Sequence, residues 1–306
     1  FPHFTGLFKK YTKTNARIRG NLVSFSKGKW LLPLSRGSHG TNGKFFSKKI
    51  RRRNFKGEYF SMESIKKEAA IVTGASSGIG YAISTKLSAL GYQVFGIGRN
   101  FQKVENKIGN NIHPIVCDIL DTDKLCACVK QITAQYPVRI LVNNAGVGYY
   151  GLHEELNPDK IRKLIRTNLE APIILTQQLL RHLKANAGYI INISSVTATK
   201  SNPHGCAYGA TKAGLFSFSH SLFDETRKYG IKVVTISPDI TQTNLYRNAD
   251  FKEGEEPFSY LLPEDVANAV EWILSQREGV IITDIALKPQ LHRIKRKLPG
   301  SCPNQQ

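Results

Sequence analysis

A glycine-rich turn between an apolar run and a helical pattern constrains this chain more than any other feature. Ala69-Ala70-Ile71-Val72 is a short apolar run of the kind a buried parallel strand takes. Thr73-Gly74-Ala75-Ser76-Ser77-Gly78-Ile79-Gly80 follows as a turn, and Tyr81 to Leu90 reads as a helix stopped by Gly91. Glycines let the backbone turn tightly and approach a ligand closely, while a helix N-terminus offers unpaired N–H groups to negative charge. Strand, turn and helix in this order predict a cradle for a diphosphate.

The alternation continues downstream. Gln93-Val94-Phe95-Gly96-Ile97-Gly98 reads as the next strand, followed by Arg99, with no acid until Glu105. An acid at this strand end would bind a ribose 2′-OH, whereas an arginine accommodates a 2′-phosphate. NADP(H) is therefore expected over NAD(H), with Arg99 as the contact. Ile112 to Cys117 makes a third strand ending at Asp118, placed to reach an adenine edge, and Val138 to Val142 a fourth ending in Asn143-Asn144-Ala145-Gly146. Parallel strands with polar residues at their carboxyl ends predict an α/β fold, a doubly wound parallel sheet (Rossmann fold) in a single domain of about seven strands.

The second half carries the reactive residues. Ile190, Ile191 and Ile193 form a β-branched run that breaks into Ser194 and Ser195. Tyr208 and Lys212 follow in a helical pattern, and a separation of four puts both on one face. An ammonium beside a phenol is expected to pull its pKa below the usual value of roughly 10, which suits a proton donor to a carbonyl oxygen. A surface tyrosine and lysine one turn apart would give the same letters.

Together T-G-A-S-S-G-I-G (73–80), N-N-A-G (143–146), and Ser195 thirteen residues before Y-x-x-x-K resemble the classical short-chain dehydrogenase/reductase family, from about Lys67 to Pro289. The resemblance implies a carbonyl–alcohol oxidoreductase with Tyr208 as catalytic acid/base and Lys212 holding the nicotinamide ribose. It implies Ser195, rather than Ser194, on the substrate carbonyl, and Asn168 holding a water in a proton relay. Gly74, Ser76, Ser77, Gly78 and Ile79 would line the phosphates, Asp118 the adenine, and Asn144, Ala145 and Gly146 the adenosine ribose and the sheet. Pro238, Ile240 and Thr243 match positions at the nicotinamide end. Asp239 departs from the family, which has glycine there. The favoured reading turns it to solvent, and the alternative brings the acid into the pocket.

In the family the helices of Pro158 to Leu183 pair subunits, so a homodimer or homotetramer is expected. Thr241 to Pro263 is short and polar, a modest lid suited to compact substrates, while Tyr149 and Tyr150 form an aromatic wall or simply pack. The intact Asn168, Ser195, Tyr208 and Lys212 set speaks against the rival reading, a non-catalytic dinucleotide-binding sensor.

Charge is unevenly placed. Of the net +20, the first sixty-one residues hold fifteen Lys/Arg against the single acid Glu58. Residues 1–61 read as a basic segment without periodicity, 62–292 as the oxidoreductase domain, and 293–306 as a basic, solvated tail. Met62 is the favoured start, which would make the preceding residues a leader outside the fold. A transit peptide and a phosphate-binding arm around Lys48 to Arg53 are the alternatives. Nucleic acid is otherwise not expected as a partner. Five scattered cysteines suggest free thiols in a reducing, cytoplasmic setting, or an organelle if the leader is a transit peptide. The eight histidines lack ligand spacing, so no metal is expected, and no apolar run approaches the roughly 20 residues of a membrane span.

Overall fold

The computed structural model describes residues 67–297 and, nearer the N-terminus, the backbone of three short strands at 16–18, 21–26 and 29–31. The chain divides into two units, residues 1–60 and 61–306. In the first, β1 (Ala16–Ile18), β2 (Asn21–Ser26) and β3 (Lys29–Leu31) form an antiparallel sheet. This corrects the reading of that segment as lacking strands. Ile18 pairs with Asn21 and Ser26 with Lys29, so each connection is a two-residue dipeptide ending in glycine, Arg19-Gly20 and Lys27-Gly28. Neither dipeptide is one of the strong two-residue hairpin signals, such as Asn-Gly or Asp-Gly, so the sequence did not announce these strands. Met62 and the cluster Lys48 to Arg53 lie outside the described residues.

The second unit is built on one seven-stranded parallel sheet. Its strands are β4 (Ala69–Thr73), β5 (Gln93–Gly98), β6 (Ile112–Val116), β7 (Val138–Asn143), β8 (Tyr189–Ile193), β9 (Lys232–Pro238) and β11 (Asp284–Leu287). They lie in the order β11-β9-β8-β7-β4-β5-β6. The chain moves outward from β4 to β5 and β6, then returns to the other side at β7. That reversal is where an open α/β sheet leaves a crevice outside its carboxyl ends.

Side chains alternate across the sheet with a period of two, so each strand feeds two cores. Ala70, Val72, Ile140, Val142 and Ile191 pack with Ile83 and Leu87 of α1 (Gly78–Ala89) and with Val266, Val270 and Ile273 of α6 (Pro263–Leu274). On the other face Ile71, Leu141 and Ile190 pack with Leu125 and Val129 of α2 (Thr122–Gln135). Leu175 and Leu179 of α4 (Ala171–Ala185) and Leu222 of α5 (Cys206–Thr226) complete that layer. Strands buried on both faces explain why they read as continuous apolar runs. β6 carries Pro114 because it is an edge strand, where a missing N–H costs no ladder bond.

The C-terminal end carries a short strand whose residues stay exposed to solvent. The run read as a solvated tail contains β12 (Ile294–Arg296), paired antiparallel with β10 (Phe251–Glu253) inside the lid segment. Lys297 Nζ donates to the Tyr246 carbonyl at 2.7 Å, and Lys295 and Arg293 pair with Glu255 and Glu256. Backbone pairing and charge, rather than apolar periodicity, hold this ribbon, so no hydrophobic pattern announced it.

Candidate active site

The carboxyl ends of β4 to β9 open into one cleft. At its floor Gly74 and Gly78 take φ +68° and +53°, left-handed values that only glycine adopts without strain. Gly80 is needed for a different reason. A Cβ there would stand 2.2 Å from the Gly74 carbonyl oxygen and 2.4 Å from Asn144 Nδ2, so α1 can begin this close to the strand only without a side chain. Gly80→Ala is therefore expected to cost about 1–3 kcal/mol by overpacking against backbone. Thermal unfolding checks this, at roughly 2–4 °C of Tm per kcal/mol for a domain of this size. An unchanged Tm would mean that the helix does not sit so close.

α1 starts at Gly78, its N-cap Ser77 makes no side-chain cap bond, and no acid lies in its first turn. Its positive end thus faces the cleft beside a cradle that any Cβ would fill, the arrangement a diphosphate requires. Thr73 Oγ1 accepts from the backbone N–H groups of Asn144 and Ala145 at 3.0 Å each. Asn144 Nδ2 donates back to the Thr73 carbonyl at 2.9 Å. The glycine turn and the loop after β7 are thereby locked together.

Tyr208 and Lys212 both come from the first turns of α5, and both are buried. Lys212 Nζ donates to the Ile193 carbonyl at 2.9 Å and lies 5.8 Å from the Tyr208 ring. Ser195 Oγ accepts from the Thr197 N–H at 3.2 Å and the Thr197 hydroxyl at 3.0 Å, which leaves its own proton free in the cleft that Tyr208 also lines. Ser194 is spent elsewhere, donating to the Lys212 carbonyl at 3.1 Å. Ser195, and not Ser194, keeps a hydroxyl proton available in the cleft.

The expected pKa direction is reversed. Burial pushes Tyr208 up to about 12, and the neighbouring Ser195 and Tyr150 hydroxyls only partly offset it. Burial likewise pushes Lys212 down to about 8. Withdrawal from water penalises both charged forms, and the lysine beside the phenol does not overcome it. Tyr208 is therefore protonated at neutral pH, ready to donate.

Asn168 lies in a π-helical turn (Arg166–Glu170) joining α3 (Pro158–Ile165) to α4. Its Oδ1 accepts from the Val147 N–H at 2.9 Å, and Nδ2 donates to the Val147 carbonyl at 3.0 Å and Thr211 Oγ1 at 3.2 Å. Neither amide hydrogen is left for a water, and the side chain acts as a clamp on the loop after β7.

Ser76, Ser77, Ile79, Arg99, Asp118, Ala145, Gly146, Pro238 and Thr243 all line the cleft. Ile240 does not: it is buried and Thr241 takes its place on the wall. Asp239 also lines the cleft, against the expectation that it faces solvent. Its Oδ1 accepts from the Ile240 N–H at 2.8 Å and lies 3.6 Å from His292 Nδ1, so the turn and the C-terminal segment hold the acid inward. Thr73, Thr197 and Thr211 were not singled out in the sequence, because each acts through a partner distant in the chain or through a neighbour's hydroxyl. Tyr246, inside the segment read as a polar lid, packs its ring against Phe251 with centroids 5.3 Å apart and planes tilted by 46°.

A family model described as short chain dehydrogenase matches residues 68–254. The chain belongs to the short-chain dehydrogenase/reductase family. An uncharacterized oxidoreductase of Staphylococcus epidermidis is 30% identical over 234 residues, covering 74% of this chain and 100% of that protein. The 3-oxoacyl-[acyl-carrier-protein] reductase FabG of Rickettsia bellii is 32% identical over 224 residues, covering 70% and 92%. A crystal structure of a metagenomic short-chain oxidoreductase in complex with NADP superposes with a TM-score of 0.63 at 31% identity, covering 74% of this chain and 98% of that one. This short-chain dehydrogenase/reductase is accordingly an oxidoreductase with a Rossmann-type sheet. Among the described residues no helix is long and apolar enough to cross a membrane, and no group of three or more His, Cys, Asp or Glu is placed to hold a metal.

Proposed function

We propose that this chain is an NADP(H)-dependent oxidoreductase interconverting a carbonyl and a secondary alcohol, with Tyr208 as acid/base. The observation that carries the reading is the Tyr208 hydroxyl, protonated in the cleft and flanked by Ser195 and Lys212 beside the glycine turn. When bound, the nicotinamide dinucleotide supplies or accepts the hydride. Gly74, Ser76, Ser77, Gly78 and Ile79 would hold its diphosphate, Asp118 its adenine, and Asn144, Ala145 and Gly146 the adenosine ribose. Pro238 and Thr243 would close on the nicotinamide and Lys212 on its ribose. Ser195 orients the substrate oxygen, and Tyr208 gives that oxygen a proton in reduction and takes it back in oxidation.

Arg99 at the end of β5, on the cleft wall with no acid until Glu105, supports NADP(H) over NAD(H). Arg99→Ala is expected to weaken NADPH about tenfold while leaving NADH unchanged, since a charge-assisted phosphate contact is lost only with the former. Calorimetric titration with both nucleotides checks this, and equal weakening would contradict it. Leu245 and Tyr246 on the lid narrow the substrate end, which suits a compact carbonyl. Half-exposed Ile165 and Ile173, near the ends of α3 and α4, fit pairing of two copies. The thiols and the absence of a spanning helix among the described residues fit the cytoplasm.

The test is NADPH consumption over a panel of cyclohexanone, ethyl acetoacetate, acetoacetyl thioesters and small 3-oxo acids, with the matching alcohols and NADP+. Turnover of one class is expected. Tight NADPH binding with no turnover across the panel would instead favour a dinucleotide sensor.

A further inference from the structure

Lys297 follows β12 directly and reaches back over the lid. Its backbone N–H donates to the Asp250 carbonyl at 2.7 Å. Its ammonium donates to the Tyr246 carbonyl at 2.7 Å and to the Arg247 carbonyl at 3.3 Å. Both carbonyls belong to a helical turn, Asn244–Asn248, and Leu245, Tyr246 and Arg247 of that turn line the cleft. Arg293 and Lys295 on the same ribbon are paired with the carboxylates of Glu256 and Glu255. Lys297 instead gives its charge to lid backbone, and it is half-buried there.

We propose that Lys297 is a positioning residue: its ammonium fastens the 244–248 turn to the C-terminal ribbon and so holds Leu245 and Tyr246 over the substrate end of the cleft. The turn needs such a fastening because the rest of the ribbon is weak. β10 and β12 pair over three residues each, and a two-stranded ribbon of that length is marginal by itself. The two ion pairs are exposed, where such pairs contribute little. Gly254 donates its N–H to the Arg293 carbonyl at 3.1 Å, and a Cβ there would stand 3.0 Å from that oxygen, so the ribbon is held close at its other end. Of these ties, the one from Lys297 reaches the turn on the cleft wall. A charged donor on carbonyl oxygens also makes hydrogen bonds stronger than neutral ones. A lid must open to admit substrate and release product, and one strong tie among weak ones lets the turn swing as a unit.

The inference rests on the carbonyl–alcohol reading of the cleft, and the experiment separates the two. Lys297→Met removes the ammonium and keeps the apolar stem, while Lys297→Arg restores a charged donor. Arg296→Ala, on the same ribbon with an exposed side chain, is the control. In the full-length chain without nucleotide, hydrogen exchange over residues 244–249 should run about tenfold faster in Lys297→Met, near wild type in Lys297→Arg and unchanged in Arg296→Ala. With NADPH and the best carbonyl of the panel, Lys297→Met should raise KM about tenfold and leave kcat within about twofold of wild type. Unchanged exchange at 244–249 overturns the inference, as does faster exchange without a rise in KM. An equal effect from Arg296→Ala overturns it too, as does acceleration that extends to β4 and β8, which would make Lys297 a support of the whole fold. A panel without turnover would instead remove the carbonyl–alcohol reading, and exchange alone would then decide for or against Lys297.

Discussion

Tyr208→Phe should lower turnover by about 10²–10⁴-fold, the range general acid–base groups contribute, while NADPH affinity changes little. The ring stays in place between Val147 and Leu164, so packing survives and only the proton is lost. Because burial holds the phenol near 12, the wild-type acid form is present throughout the neutral range and reduction needs no prior protonation. Oxidation needs the opposite form, so its rate should climb with pH while reduction stays level until the phenol titrates. Steady-state rates in both directions, with nucleotide titration of the variant, check this. Turnover within a few-fold of wild type would remove Tyr208 from the mechanism.

Lys212→Met should inactivate the protein and stabilise it at once. Burial depresses the lysine from 10.5 to about 8, and at about 1.4 kcal/mol per unit that is a penalty on the order of 3 kcal/mol. Losing the bond to the Ile193 carbonyl returns about 1 kcal/mol of it. The net gain of roughly 2 kcal/mol should raise Tm by about 4–8 °C at pH 7. The sign follows from proton counts. Below pH 8 folded and unfolded lysine are both charged and wild type bears the whole penalty. Between about 8 and 10.5 the folded form releases its proton first, so the penalty shrinks as pH rises and vanishes above that window. The variant's advantage should fade in step. An equal or lower Tm for Lys212→Met at pH 7 would show that the buried ammonium is not under strain.

Much of the fold was legible because the relevant signals are local. Ala69–Thr73 and Tyr189–Ile193 are apolar runs followed by glycine or serine, and Gly91 marks the end of α1 two residues past its last turn. Tyr208 and Lys212 were found by a spacing of four, which fixes a shared helix face whatever the rest of the chain does. What escaped depends on distant partners. The clamp of Thr73 on Asn144 spans 71 residues, and the pairing of Lys252 with Lys295 joins two like charges that no pattern would place side by side. The pKa direction at Tyr208 was misread for a similar reason. Spacing puts an ammonium beside a phenol, but only packing shows that both have left water. Asp239 was expected to face solvent because a lone acid usually does, and its inward turn depends on the Ile240 N–H and on His292.

The most direct measurement follows a label. Reduction of the best panel ketone by NADPH carrying deuterium at the reactive nicotinamide carbon should place that deuterium on the carbinol carbon, while the hydroxyl hydrogen comes from water through Tyr208. A product without deuterium at that carbon would contradict direct hydride transfer in this cleft.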